Sequence, residues 1–359
     1  MTYTLHKAYK FIFSVVTVAF VAVSCTADSD NNEQGLAQLN LLQPSIAVTA
    51  KNTRSMPVDG TAFPWKSITY LQENYAAYAM GFWICDKGTY SPHMQNYDNK
   101  KLFYRIESDN AYSWRENGPN GAIVKSSGIR LGKSIDVYVY YPYQAQTKVP
   151  FTPETVPFTT NQQADWMWAD PVHIDNITAG SKDNNLQLLF HHAMTCIEVR
   201  LSTRYDGTIT LANIKLEDAK KQLVKDGTMD IRNGMLTYNA DQSEITISGN
   251  NDDEGIINYN TLPTTGSEYR SYCFLMPEKS FDAGDLTMTF YFDADKKQAR
   301  TQFTVPSRFM NANGSEVSVA KLETGKKYVL NLVIDNSLKI TPVKFSQEDW
   351  TTVDINLKI

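Results

Sequence analysis

Positive charge never gathers in this chain. Lys and Arg come no more than two in a row and no basic stripe forms, so nucleic acid is excluded as a partner. Cysteine is scarce: Cys25 lies near the start, and Cys85, Cys196 and Cys273 are far apart in strand-like apolar runs. That spacing supports neither a disulfide framework nor a zinc site and reads as buried small hydrophobes. Beyond the first 25 residues no uncharged apolar stretch reaches the roughly 20 residues of a membrane-spanning helix. Helical periodicity is weak, with one short helix suggested at Phe63–Tyr75. The patterns HExxH, GxSxG, GxGxxG and the P-loop are all missing, so no catalytic residue, metal site or cofactor is assigned and the chain reads as a non-enzyme.

What is present begins at the N-terminus. Met1 to Lys10 carries Lys7 and Lys10 and no acid, Phe11 to Val23 runs without charge, and Ala22-Val23-Ser24-Cys25 follows. A basic start, a short apolar run and small residues before a cleavage point form a secretory signal over residues 1–24. The cysteine after the small residue makes a lipobox, with lipid carried on Cys25; an ordinary signal cleaved near Ser24 is the plainer alternative. Either way the protein is expected to leave the cytoplasm. Of 34 Lys and Arg, two leave with the signal, and the 32 that remain against 39 Asp and Glu give a net charge of −7.

Thr26 to Gln43, polar and then mildly apolar through Leu36, Leu39, Leu41 and Leu42, reads as a tether behind the lipid. After Pro44 the hydrophobic period is two almost throughout. Ile46, Val48 and Ala50 alternate with Ala47, Thr49 and Lys51, and Ile135, Val137, Val139 and Tyr141 with Asp136, Tyr138 and Tyr140. Further strands are expected at 77–85, 102–106, 186–190, 196–201, 208–216, 235–238, 244–248, 270–276, 286–292, 299–305 and 328–334. Asp206-Gly207, Asp226-Gly227, Asn233-Gly234 and Asp252-Asp253-Glu254-Gly255 read as the turns between them. The expected architecture is mainly β, two sandwich domains in tandem, divided in the polar stretch 179–184.

The polar constellations favour structure over chemistry. His191 and His192 are neighbours at a strand end, so their side chains point to opposite faces and cannot chelate one ion together. The Asp252-Asp253-Glu254 acids read most simply as a solvated loop. Six tryptophans and 20 tyrosines leave open a carbohydrate-binding surface, although most lie in strand patterns where aromatics pack on neighbours.

Several pieces in order resemble the fimbrillin family, the type V pilus subunits of Bacteroidia-type bacteria. They are the lipobox at Cys25, Val137-Tyr138-Val139-Tyr140-Tyr141-Pro142-Tyr143, Asp165-Trp166-Met167-Trp168-Ala169 and Leu188-Leu189-Phe190-His191-His192-Ala193. Thr324-Gly325-Lys326-Lys327-Tyr328 and Trp350 complete the set, which spans nearly the whole chain. The resemblance implies two transthyretin-like β-sandwich domains, at 55–180 and 181–359, and an outer-membrane lipid-anchored precursor that becomes part of a cell-surface fimbrium. It also implies assembly with other copies or related pilus subunits, with host protein or glycan as further partners.

In that family a trypsin-like protease removes the first strand after an arginine. Here the resemblance marks residues 25–54 as the removed segment, with cleavage between Arg54 and Ser55 and Ile46, Val48 and Ala50 as the displaced strand. Val353, Ile355, Leu357 and Ile359 alternate strictly with Asp354, Asn356 and Lys358, which suits a donor strand for the vacated groove; the plainer alternative is a strand completing its own domain. Against the pilus expectation stands a monomeric surface lipoprotein that binds glycans through exposed aromatics.

Overall fold

The computed structural model describes residues 36–37, 40–42, 45–46, 79–89, 91, 98–106, 112–118, 121, 129–146, 150–178, 185–248, 261–264, 268–311 and 313–350. The suggested helix at 63–75 and the boundary at 179–184 lie outside them. Among the described residues all regular structure is strand, apart from a single 3₁₀ turn at Thr160–Gln162.

Four sheets carry the fold. The first, eight-stranded, runs in the order Ser45–Ile46, Leu189–His192, Met167–Ala169, Ile135–Tyr141, Ala79–Asp86, Lys100–Ile106 and Tyr112–Arg115, with Val172–Ile174 also paired to Ile135–Tyr141. Its central strands bury both faces. Met80, Phe82 and Ile84 enter one apolar cluster with Ile135, Val137 and Val139, while Trp83 and Cys85 enter another with Tyr138 and Tyr140. Alternate residues of a strand face opposite ways. Burial on both faces explains why Gly81-Phe82-Trp83-Ile84-Cys85 reads as an unbroken apolar run instead of an alternating one.

The second sheet orders Arg270–Met276, Thr195–Thr203, Lys326–Ile334, Ile340–Asp349, Arg308–Met310 and Glu316–Ser318. It packs on a four-stranded sheet of Glu244–Ser248, Ile209–Asp218, Leu286–Ala294 and Lys297–Thr304. Ile197, Val199 and Leu201 of one face meet Ile214, Met288 and Phe290 of the other, the interdigitation of a β-sandwich. Each such side chain contributes roughly 1.5–3 kcal/mol on burial.

The last sheet joins the two regions. Val156–Thr159 pairs with Leu223–Asp230, which in turn pairs with Met235–Gln242. Thr160 Oγ1 donates to the Val224 carbonyl at 2.8 Å, and the Gln163 side chain both accepts from Leu275 N and donates to Leu275 O. A mixed apolar cluster lies behind these bonds, with Trp83, Tyr140 and Trp166 against Met229, Ile231, Leu275 and Trp350.

Two expectations are corrected. Asp226-Gly227 is not a turn: it sits inside Leu223–Asp230, where the register with Met235–Gln242 shifts at a bulge. Glycine is needed there because a Cβ on Gly227 would strike the Thr237 carbonyl and the Phe158 ring. The stretch 36–42 is not free tether. Leu36–Ala37 pairs antiparallel with Ile129–Arg130, and Asn40–Leu41 pairs parallel with Asn185–Leu186. The leucines that looked mildly apolar were the available signal, and Leu41 packs on the first core.

Candidate assembly site

Three short strands near the N-terminus pair with the body: Leu36–Ala37 and Asn40–Leu41 in two-stranded sheets of their own, and Ser45–Ile46 in the first sheet. After Asn40–Leu41, the amide of Leu42 donates to the Leu186 carbonyl at 3.0 Å, and its carbonyl accepts from Trp114 Nε1 at 3.2 Å. Ser45–Ile46 then adds as the outermost strand, parallel to Leu189–His192, with Ser45 opposite Leu189 and Ile46 opposite Phe190. A strand at this position covers backbone donors and acceptors that would otherwise form an open sheet edge. Of the expected displaced residues, Ile46 is placed at that edge; Val48 and Ala50 lie outside the described residues. So do Cys25, Arg54, Ser55, Val353, Ile355, Leu357 and Ile359.

The strand that receives Ser45–Ile46 ends in the two histidines, which do face opposite ways. His191 bonds Asp170 Oδ1 at 2.7 Å and stacks on Trp168, with centroids 4.7 Å apart. His192 turns inward, with Nδ1 3.0 Å from Asp165 Oδ1 and its ring 3.8 Å from that of Trp350 at a 6° interplanar angle. His192 Nε2 and Asp165 Oδ2 are buried without a hydrogen-bond partner among the described residues, walled in by the mixed cluster. These histidines hold structure. Sequence reading had no route to the Asp165–His192–Trp350 contact, because nothing local links positions so far apart.

Trp350 is the last described residue. Its amide donates to the Gly325 carbonyl at 3.0 Å, and the Gly325 amide donates to the Met194 carbonyl at 2.9 Å. Lys326 pairs with Asp349 beside it. Trp350 is thus tied through Gly325 to Met194, two residues after His192.

A buried ionic group braces the neighbouring sheet. Glu198 Oε1 accepts from Arg200 Nε at 2.7 Å and from Ser271 Oγ at 2.7 Å, and Lys327 Nζ lies 3.3 Å from Oε2. Burial pushes the Glu198 carboxyl up, but the Arg200 hydrogen bond, the Lys327 charge and the Ser271 hydroxyl outweigh it and hold the group below its ordinary value. Burial raises the Cys196 thiol well above its usual range. Burial, followed by the nearby Asp136, Asp98 and Asp86 charges, takes Cys85 up to about 12. Both are inert thiols at neutral pH.

The described tryptophans turn inward. Trp83, Trp114, Trp166 and Trp350 are buried, and Trp168 is held between His191 and the backbone at Gly234. No described tryptophan offers a free face for stacking on a sugar.

Residues 86–350 match a family described as fimbrillin-like. A search of curated proteins finds no match. Among solved structures, a candidate cell-adhesion protein of Bacteroides ovatus aligns at 15% identity with a TM-score of 0.50, covering 89% of this chain and all of that one. A candidate cell-adhesion protein of Bacteroides uniformis aligns at 14% identity and TM-score 0.47, covering 77% and 92% of the two chains. A fimbrial protein of Bacteroides vulgatus aligns at 16% and 0.41, covering 86% and 99%. The first of these carries the fold likeness, an all-β architecture over nearly the whole chain.

Proposed function

The chain belongs to the fimbrillin-like family of pilus and cell-adhesion subunits, and we propose that it joins a surface fimbrium by exchange of a strand between subunits. The observation that carries this reading is the edge position of Ser45–Ile46. Among the described residues Ser45–Ile46 forms the outermost strand of an eight-stranded sheet, paired at one side only. A cut after Arg54 would free that segment and open the edge of Leu189–His192 to an extended strand of another subunit.

The C-terminal residues supply the strand in this reading. Val353, Ile355, Leu357 and Ile359 fall on one face of an extended segment. Seated in a groove, four such side chains contribute on the order of 6–12 kcal/mol before ordering costs. The anchoring of Trp350 supports the same assignment, since a donated strand bears load only if its root is fixed. Before processing, lipid on Cys25 holds the precursor in the outer membrane, and a trypsin-like protease triggers assembly. The division into sandwich domains at 55–180 and 181–359 belongs to the same proposal. The role is structural and adhesive, without catalysis.

The test compares three proteins: the native chain, Arg54→Ala, and a chain lacking residues 353–359. Each is exposed to a trypsin-like protease and run on denaturing gels without boiling. The native chain is expected to form heat-sensitive ladders of multimers and both variants to remain single. A ladder from uncut Arg54→Ala overturns the processing step, and a ladder from the shortened chain overturns the donor.

A further inference from the structure

Two cysteines far apart in sequence meet on one face of the second sheet. Cys196 lies opposite Leu275 and Glu198 lies opposite Cys273, so the cysteines are diagonal neighbours on adjacent antiparallel strands. Both point away from the sandwich core. Ile197 and Phe274 enter that core, while Cys196, Leu275 and Cys273 belong to the mixed cluster. The pair is also drawn close. Gln163 engages both the amide and the carbonyl of Leu275 on that strand's other side. Leu275 therefore exchanges no ladder bonds with Cys196, and side chains in such pairs stand closer. The two thiols are in hydrogen-bond contact. Lys327 lies opposite Cys196 on the next strand, its ammonium nearly buried. Cys196 is buried and Cys273 is partly open, which gives the pair a way in.

We propose that Cys196 and Cys273 form a two-sulfur site for a single soft monovalent d10 ion, with Cu(I) as the test case. The ligand set selects the ion. Two thiolates and nothing harder suit Cu(I). Zinc takes four protein ligands in a closed site. Among the described residues no three His, Cys, Asp or Glu side chains converge to hold an ion. Calcium and magnesium need oxygen ligands, and the adjacent Glu198 carboxylate is already committed to Arg200, Ser271 and Lys327. A disulfide is the competing product, but its Cα span of about 4.4–6.8 Å falls short of the roughly 7–8 Å between diagonal neighbours. An ion between the sulfurs puts two bonds where a disulfide has one, and so reaches further. Charge balances too. Alone, Cys196 keeps its proton at neutral pH, because burial and then the Cys273 thiol raise it. A coordinating thiol gives its proton up outright. Cu(I) and two thiols thus yield a singly negative bis-thiolate and release two protons to solvent, with the Lys327 cation opposite. The ion would clip Arg270–Met276 to Thr195–Thr203.

The test uses the full, uncut chain, so it stands apart from processing at Arg54. Cys25→Ser is carried throughout, which leaves thiols only at Cys85, Cys196 and Cys273. Without oxygen, the chain competes with bicinchoninate for Cu(I), read as loss of the chelate's colour. Retention of one ion per chain is expected for this protein and for Cys85→Ala, and loss of retention for Cys196→Ser and for Cys273→Ser. The ion is expected to raise the thermal midpoint, since its ligands meet only in the folded register. X-ray absorption at the copper edge checks the site without any further variant and is expected to show two sulfur neighbours alone. A chain that yields its copper to the chelator, serine variants that retain it, copper bound through nitrogen or oxygen, or a Cys196–Cys273 disulfide in the chain purified in air overturns the proposal.

Discussion

His192 stacks face to face on Trp350, with ring centroids 3.8 Å apart and planes 6° from parallel. The contact joins two ends of the proposed assembly machinery. His192 closes the strand whose other end receives Ser45–Ile46, and Trp350 directly precedes the proposed donor segment in sequence. In a fibre linked by strand exchange, load entering at Leu189–His192 has a short path to the outgoing strand through this stack and the Gly325–Met194 hydrogen bond.

Removing the indole should therefore loosen the body as well as the tail. Trp350 is fully buried in the mixed cluster, so Trp350→Ala is expected to cost about 3–5 kcal/mol in unfolding free energy. Equilibrium denaturation in guanidinium measures it. A cost under about 1 kcal/mol would mean that the site collapses around the loss and that Trp350 is not an anchor.

The Glu198 group makes stability depend on acid in a defined direction. Its carboxyl titrates below the ordinary value of 4.5 when folded, because Arg200, Lys327 and Ser271 outweigh the cost of burial. A depressed carboxylate adds stability that is fully present above its unfolded value and is lost as pH falls through the folded one. Glu198→Gln leaves the nearly buried Lys327 with only the half-exposed Glu348 carboxylate, 3.6 Å away, and is expected to cost about 3 kcal/mol at neutral pH. Below 4.5 the gap between native and variant should narrow. Unfolding midpoints across a pH series check this, and a gap that widens on acidification would contradict it.

The hairpin at Asn233-Gly234 offers a local test. Gly234 has φ of 74°, and a side chain there would meet the Trp168 indole. Gly234→Val combines left-handed strain of about 1–3 kcal/mol with an overlap of similar size. Loss of amide-exchange protection is expected first along Met235–Gln242 and the strand beneath it, with a shift in Trp168 fluorescence.

Much of the fold was legible because strand period survives in the sequence. Glu244–Ser248 and Arg270–Met276 fall where alternation and turn residues put them, and most other long strands do so within a few residues. The failures have physical causes. Val156–Thr159 carries Pro157, which ordinarily argues against a strand, yet the segment is an edge where a missing amide costs little. Leu223–Asp230 was hidden by Asp226-Gly227, a turn signature used here for a bulge. Ile340–Asp349 is half-exposed along both faces and leaves no clear period. Of the assembly site, the alternation at Ile46 was readable. The pairing of 36–42 was not, since two-residue strands have no period, and neither was the Asp165–His192–Trp350 contact, which is set wholly by the tertiary fold.

The most direct measurement is the thermal midpoint of the chain cut after Arg54, with and without a peptide of residues 351–359. A ligand that binds only the folded form at a hundred times its dissociation constant stabilises by about 2.7 kcal/mol. Strand exchange predicts that the peptide raises the midpoint of the cut chain in proportion to its occupancy. It predicts no effect on the intact chain, whose edge is already filled by Ser45–Ile46. A cut chain that ignores the peptide, or an intact chain that responds equally, would contradict the account.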